Sequence, residues 1–277
     1  MPMQARGLEA GLRQRILVLP FLEEKVGSNA KILEQARAAV VRGLLRSGQF
    51  VVIDENDFPE DPKKYLTPEG DYDLSSIAKK LMPMGISAVL EGKIMQIRAR
   101  RAGDSVGIFR KVKAEVTSNV RLRMYSAGNA KELVNEMYKA SVDSEATQVL
   151  KRGYSEAELV RNPSLVRSSV TKAFMRGLPS IGRNVQKLKW EGRVALLTGE
   201  KVYINAGRIS GIQIGDILKV SEEGQEIFDP ETGGFIGKAP GRMKGTIEIV
   251  SYFGKDGAIG IIHSGSGFEE NDIVEIY

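Results

Sequence analysis

VYINAGRISGIQIGDILKVSEEGQEIFDPETGGFIG, Val202 to Gly237, decides the fold of the C-terminal third, because its glycines and acids fall where a small β-barrel has to turn. Apolar residues alternate through 201–205, 216–220 and 226–228, the period of half-buried strands. Between the first two strands Gly207, Gly211 and Gly215 recur every four residues, each able to take the positive φ that a tight connection demands, and Asp216 opens the next strand. In 229–234, DPETGG, Asp229 is placed to accept local backbone N–H bonds, Pro230 presets φ and Gly233 closes the turn, which predicts a hairpin into Phe235 and Ile236. All seven of these turn positions are read as built to bend rather than to bind.

The same grammar runs on through 244–250, 257–263 and 272–276, with 254–257, GKDG, as the tightest turn. Counted from residue 192, about seven short strands predict a barrel or compact sandwich, the usual way of hiding strand edges.

The ordered run 202–205 (VYIN), Gly207, Gly211, Gly215-Asp216, 229–233 (DPETG) and Gly237 resembles the C-terminal domain of the flagellar assembly protein T family. Those proteins are periplasmic components of a ring around the flagellar basal body in some Gram-negative bacteria. The resemblance implies a fold for the last third of the chain and a role in assembly. Its motifs are turns rather than catalytic groups.

Upstream, 14–21 (QRILVLPF) is a continuous apolar run of strand length, and its lack of alternation predicts a central strand covered on both faces. Asn29 is a candidate cap for a helix with Ile32, Leu33, Ala36, Val40, Leu44 and Ser47 on one stripe, ended by Gly48. A second strand at 49–54 follows at once, so the two strands are expected to be parallel. Prolines at 59, 62 and 68 mark a surface loop, and Asp73 opens a short helix that Pro83 and Gly85 stop. Long strands are expected at 86–100, 111–125 and 136–147 as an antiparallel meander, with the first hairpin tip at 103–107. Asn162 and Pro163 start one last helix with Leu165, Val166, Val170, Ala173, Phe174 and Leu178 on its buried side. The order of these elements, with the phrases VVIDEND and AVLEGKI, resembles the N-terminal domain shared by the Tol-system translocation protein B and the curli secretion lipoprotein family. The flagellar assembly protein T family also carries a middle domain of this type.

The expected fold class is therefore α+β, a mixed α/β sheet domain at 14–187 followed by a small all-β barrel-like domain at 192–277, with an N-terminal extension at 1–13. The boundary is expected between Lys187 and Gly192, with Trp190, the only tryptophan, packing at the junction. The 277 residues, 42% hydrophobic and 27% charged, suit two globular domains. No apolar run approaches the roughly 18 residues that span a bilayer, and residues 1–13 are too polar for an intact secretory signal. Cysteine is absent, which excludes disulfides and thiolate chemistry and leaves the compartment open.

The net charge of +5 hides an asymmetry. Residues 191–277 hold 8 Lys/Arg against 14 Asp/Glu, leaving 32 against 21 for residues 1–190, so the two parts carry −6 and +11. Arg98, Arg100, Arg101, Arg110, Lys111, Lys113, Arg121 and Arg123 are the candidate partner-binding surface, since alternating residues of a hairpin share one face and their charges add. An ordinary solvated face that blocks edge-to-edge pairing is the competing reading. Little aromatic interleaving is present, so nucleic acid is disfavoured as a partner.

His263 is the only histidine, which leaves no His-centred triad or multi-His metal site in one chain. Asp229 and Glu231 fall short of a Ca²⁺ loop, and 233–238, GGFIGK, lacks the spacing of a phosphate loop. No catalytic residue, cofactor or metal is expected. The expected function is a non-catalytic periplasmic assembly component of a cell-envelope machine, with a flagellar basal-body ring as the leading case and protein partners, including further copies of the chain, in the assembled state. Membrane attachment would come only through a leader or lipid anchor. A secretion-associated outer-membrane assembly factor and a cytosolic nucleic-acid-binding protein are the alternatives.

Overall fold

The computed structural model describes residues 11–24, 30–53, 55–103, 112–144 and 162–277. The first domain is a sheet of order β3-β1-β4-β5-β6, built from β1 (Gln14–Val18), β3 (Phe50–Ile53), β4 (Ala88–Gly103), β5 (Val112–Ser126) and β6 (Glu132–Ser144). A two-residue β2 (Leu22–Glu23) lies beside β4. β1 runs parallel to both neighbours, and β4, β5 and β6 form the expected antiparallel meander. β1 is central and covered on both faces. Its Ile16 and Val18 join the core under α1 (Ala30–Arg46) and α3 (Pro163–Met175), and its Leu17, with Leu19 just beyond the strand, joins the core under α2 (Leu74–Leu81).

The helices follow their stripes. Ile32, Ala36, Val40 and Leu44 are buried in α1, and Gly48 takes the left-handed φ of +71° just beyond it. Asp73 Oδ1 accepts from Ser76 N at 3.1 Å, and Asn162 Oδ1 from Ser164 N at 3.1 Å, so both expected caps are in place. Asn29 and the tip residues 104–107 lie outside the described residues. One expectation is corrected: the last helix is two, α3 and α4 (Leu178–Val185), separated at Gly177. A Cβ on Gly177 would stand 2.3 Å from Leu122 Cδ1 and 2.8 Å from the Tyr138 ring, so the chain breaks where its backbone comes closest to the sheet.

The second domain is a closed six-stranded barrel of order β12-β13-β8-β7-β14-β9. Its strands are β7 (Gly192–Thr198), β8 (Lys201–Ile204), β9 (Ile217–Ser221), β12 (Met243–Phe253), β13 (Gly257–Gly265) and β14 (Ile273–Ile276). The hairpin predicted around 229–234 forms, as β10 (Glu226–Phe228) and β11 (Phe235–Lys238), but it stands as a separate two-stranded sheet outside the barrel. Asp229 Oδ1 accepts from Glu231 N at 2.9 Å and Thr232 N at 2.8 Å, and Gly233 has φ +66°. Gly211 and Gly215 have φ of +94° and +92°, as the turn reading requires. Gly207 is needed for a different reason: a Cβ there would lie 2.6 Å from Gly257 O.

The barrel repeats one device twice. Gly215 N donates to Ile249 O at 2.7 Å and Ile249 N to Asp216 O at 2.9 Å; Asn271 N donates to Val194 O at 2.8 Å and Val194 N to Asp272 O at 3.0 Å. Asp216 Oδ2 accepts from Gln213 N and Asp272 Oδ2 from Glu269 N, both at 2.7 Å. Asn271, at φ +71°, therefore occupies the place of Gly215, because a short amide side chain tolerates the left-handed region. Exchanging β7, β8 and β9 for β12, β13 and β14 reproduces the barrel order, a pseudo-twofold arrangement of two three-stranded halves.

The domains meet through hydrogen bonds to main-chain carbonyls. Arg13 N donates to Ser210 O at 2.9 Å, Arg15 Nη1 to Asn205 O at 2.8 Å, and Asn205 Nδ2 to Met84 O at 3.0 Å. Leu12, placed by sequence in the N-terminal extension, packs against the barrel core, as does the buried Trp190.

Candidate partner-binding surface

The pleat sorts β4 and β5 into an apolar face under α1 and α3 and a polar face opposite. The register pairs Glu91 with Arg123, Lys93 with Arg121, Gln96 with Asn119, Arg98 with Thr117 and Arg100 with Glu115, all on the polar face. A bulge between Ile94 and Gln96 shifts that face from odd to even numbers along β4, so Lys93 and Arg98 share it. β6 extends it with Asn135, Met137, Lys139, Ser141 and Asp143.

The end of this face near Glu91 is covered by the segment carrying Asp71 and Tyr72. Glu91 is fully buried, and Arg123 grips it bidentately, Nη2 to Oε2 at 2.6 Å and Nε to Oε1 at 2.9 Å. Tyr72 N donates to Glu91 Oε2 at 3.0 Å, and Arg123 Nη2 donates to Tyr72 O at 2.8 Å, which ties the loop to the sheet. Asp71 bridges Arg121 and Lys93, each at 2.7 Å, and Lys93 also reaches Glu24 at 2.7 Å. Arg121 and Arg123 are only 17% and 14% exposed, so their place on a solvated basic face is corrected: they neutralise carboxylates inside the fold. Burial pushes the Asp71 carboxyl up, but hydrogen bonds from Arg121 and Lys93 outweigh it and hold it below its ordinary value. A carboxylate with a depressed folded-state pKa stabilises above its unfolded value, and that contribution is lost as pH falls through the folded one. Thermal melts taken downward from about pH 5 should therefore show a shallower acid loss in Asp71→Asn than in the parent chain; parallel curves would remove Asp71 from the acid response.

The far end of the face is open. Arg98 is exposed, Arg100 pairs with Glu115, and Lys139 and Asp143 stand nearby, so among the described side chains this end carries both signs of charge. Arg101 and Lys113 continue the strands, opposite Ala114 and Ala102, while Arg110 and Lys111 lie outside the described residues. Along the edge of β6, Lys172 Nζ donates to Ser141 O at 3.2 Å and Arg176 Nη1 to Lys139 O, so cations cap carbonyls that would otherwise template another strand.

A surface not anticipated from sequence lies on the barrel wall. Leu196 pairs with Tyr203 and Tyr203 with Ile259 across three adjacent strands, and Phe253 meets Tyr203 edge-on at 5.4 Å. Leu196, Phe253 and Ile261 are 46%, 40% and 39% exposed. The signal was present as Val194–Leu197 and Ile259–Ile262, apolar runs that break strict alternation and so place apolar groups on both sides of a strand.

No protein-family model and no curated protein sequence matches the chain. Among solved structures it is similar to the hypothetical protein CT253 from Chlamydia trachomatis, at 13% identity and a TM-score of 0.41, over 62% of this chain and 98% of that one. It is also similar to lipoprotein GNA1162 from Neisseria meningitidis, at 18% identity and 0.32, over 57% and 99%. The LpoB C-terminal domain from Salmonella enterica is matched at 13% identity and 0.31, over 50% and 87%.

Proposed function

We propose that this chain is a non-catalytic assembly protein of a bacterial cell envelope, working in the periplasm by presenting surfaces to protein neighbours, with a ring around the flagellar basal body as the machine. The observation that carries the assembly reading is the apolar barrel wall of Leu196, Tyr203, Phe253, Ile259 and Ile261. Leu196, Tyr203 and Ile259 lie side by side on three strands with Phe253 against Tyr203, and Ile261 lies beyond them between Lys201 and Glu248; exposed apolar side chains rimmed by charge are the mark of a protein contact. The flagellar assignment is supported by the sequence resemblance of the same barrel. The mixed charge of the open sheet face favours a protein partner over nucleic acid, which would call for a continuous basic track.

The test is Leu196→Glu combined with Ile261→Glu, expressed from the full reading frame. Both positions are exposed, so each change should move stability by only about 0.5 kcal/mol. The variant is expected to fold as the parent does and to disappear from purified basal bodies. A variant retained at parental levels would remove the barrel wall as the assembly surface, and a parent chain absent from basal bodies would remove the flagellar assignment.

A further inference from the structure

Two surfaces apart from the barrel wall complement one another: the helical layer of the first domain and the β10–β11 hairpin. Helices α1, α3 and α4 cover one side of the sheet, and segments 30–46 and 163–187 hold nine Lys/Arg against a single carboxylate, Glu34. Arg42, Arg46, Arg167 and Arg183 are exposed on this layer. The layer is also concave. An open depression of about 660 Å³ between α1 and α3 is lined by Arg42, Arg167 and Lys172 together with Gln35, Ser168 and Thr171, and no acid among the described residues lines it. A second, of about 440 Å³, follows one turn on, where Met175, Leu178 and Pro179 face Gly43 and Leu44, with Arg183 beside them. The two form one seam, cationic at one end and apolar at the other.

The hairpin carries the opposite chemistry. Residues 225–237, QEIFDPETGGFIG, contain Glu226, Asp229 and Glu231 and no cation. Ile227, Phe228 and Ile236 are 45%, 49% and 44% exposed on a two-stranded sheet that stands outside the barrel. We propose that the seam receives this hairpin from a second copy of the chain, with the hairpin's apolar side chains against Met175, Leu178 and Pro179 and its carboxylates among Arg42 and Arg167. One chain cannot make the contact with itself. Lys79 of α2 lies 5.4 Å over the Phe235 ring, which sets the hairpin on the α2 side of the sheet, opposite the seam. The contact is therefore head-to-tail and leaves a free hairpin at one end and a free seam at the other, so it propagates into a ring or a filament. An anionic bilayer would match the charge of the layer but, being flat, would leave the seam unfilled, whereas a projecting hairpin enters it.

Sedimentation velocity of the full chain tests this. The parent is expected to associate as its concentration rises, and less so when salt goes from about 0.1 M to about 0.5 M, because screening shortens the reach of the charges. Two double variants each reverse one surface: Arg42→Glu with Arg167→Glu on the seam, and Glu226→Lys with Glu231→Lys on the hairpin. All four positions are exposed, so both variants should melt as the parent does. Each alone is expected to associate at least about tenfold more weakly than the parent. Mixed in equal amounts they should form a heterodimer, since the first keeps its hairpin and the second keeps its seam. A parent that stays monomeric at about 0.5 mM, a reversal that leaves association unchanged, or a mixture no more associated than its components would each overturn the proposal. A monomeric parent that binds phosphatidylglycerol vesicles, and loses them with Arg42→Glu and Arg167→Glu, would assign the seam to a bilayer instead. None of these outcomes bears on the basal-body experiment above.

Discussion

Arg123→Glu is expected to unfold the first domain or bring it close to unfolding, a loss of about 3–5 kcal/mol. Glu91 has no exposure to solvent, and its carboxylate is satisfied by Arg123, by Arg121 Nη2 at 3.2 Å and by Tyr72 N. Reversing Arg123 removes the bidentate grip, leaves that carboxylate only the longer contact from Arg121, which Asp71 also shares, and sets a second carboxylate beside it. Desolvation of two buried carboxylates sharing one guanidinium then exceeds what local relaxation recovers. The damage also spreads through the main chain, because Arg123 donates to Tyr72 O and so helps hold the loop that carries Asp71. Arg98→Glu, on the same face but exposed, should change stability by only about 0.5 kcal/mol. The combined Glu91→Gln, Arg123→Met variant should recover much of the loss, since a buried ion pair replaced as a unit is tolerated where a broken one is not. Urea unfolding of the three variants decides the matter. Equal midpoints for Arg98→Glu and Arg123→Glu would mean that the network contributes nothing.

The contrast between Arg98 and Arg123 shows what the sequence made legible. Alternation in 86–100 and 111–125 revealed the strands and correctly put these arginines on one face. Exposure along a face, however, depends on what another segment lays over it, and nothing local to Arg123 announces that Tyr72 will arrive there. Glu91 was the available clue, a carboxylate inside the apolar phrase AVLEGKI, which a buried strand tolerates only with a partner. The barrel was more legible, because Gly211, Gly215 and Asp229 act through local backbone geometry and need no distant residue to be recognised. Its closure was not: Gly207 faces Gly257, and the two halves related by pseudo-symmetry share little beyond a residue of left-handed φ followed by Asp-Ile.

Gly207→Ala should cost more than Gly215→Ala, although only Gly215 has a positive φ. At Gly215 an added Cβ meets nothing within 4 Å, so the expense is conformational, on the order of 1–2 kcal/mol. At Gly207 the Cβ would sit 2.6 Å from Gly257 O and 2.8 Å from Gly257 C, both main-chain atoms unable to rotate aside. Relief requires the turn before β13 to move away from the connection between β8 and β9. That turn holds Asp256, whose carboxylate accepts from Gly207 N at 3.0 Å, from Ser210 N at 3.1 Å and from Ser210 Oγ at 2.5 Å. Overpacking of about 1–3 kcal/mol and hydrogen bonds of about 1 kcal/mol each together predict a loss of about 3 kcal/mol or more. Asp256→Ala, which removes the bonds without the clash, should fall between the two glycine variants. The same movement displaces Phe253, which packs on Tyr203 and is approached within 2.6 Å by a Cβ built on Gly257, so Gly207→Ala should also disturb the apolar barrel wall. Denaturant midpoints in the order Gly215→Ala, Asp256→Ala, Gly207→Ala, from highest to lowest, are the expected result. A Gly207→Ala midpoint at or above that of Gly215→Ala would show that the barrel yields at this seam, and the close approach would then lose its role in shaping the wall.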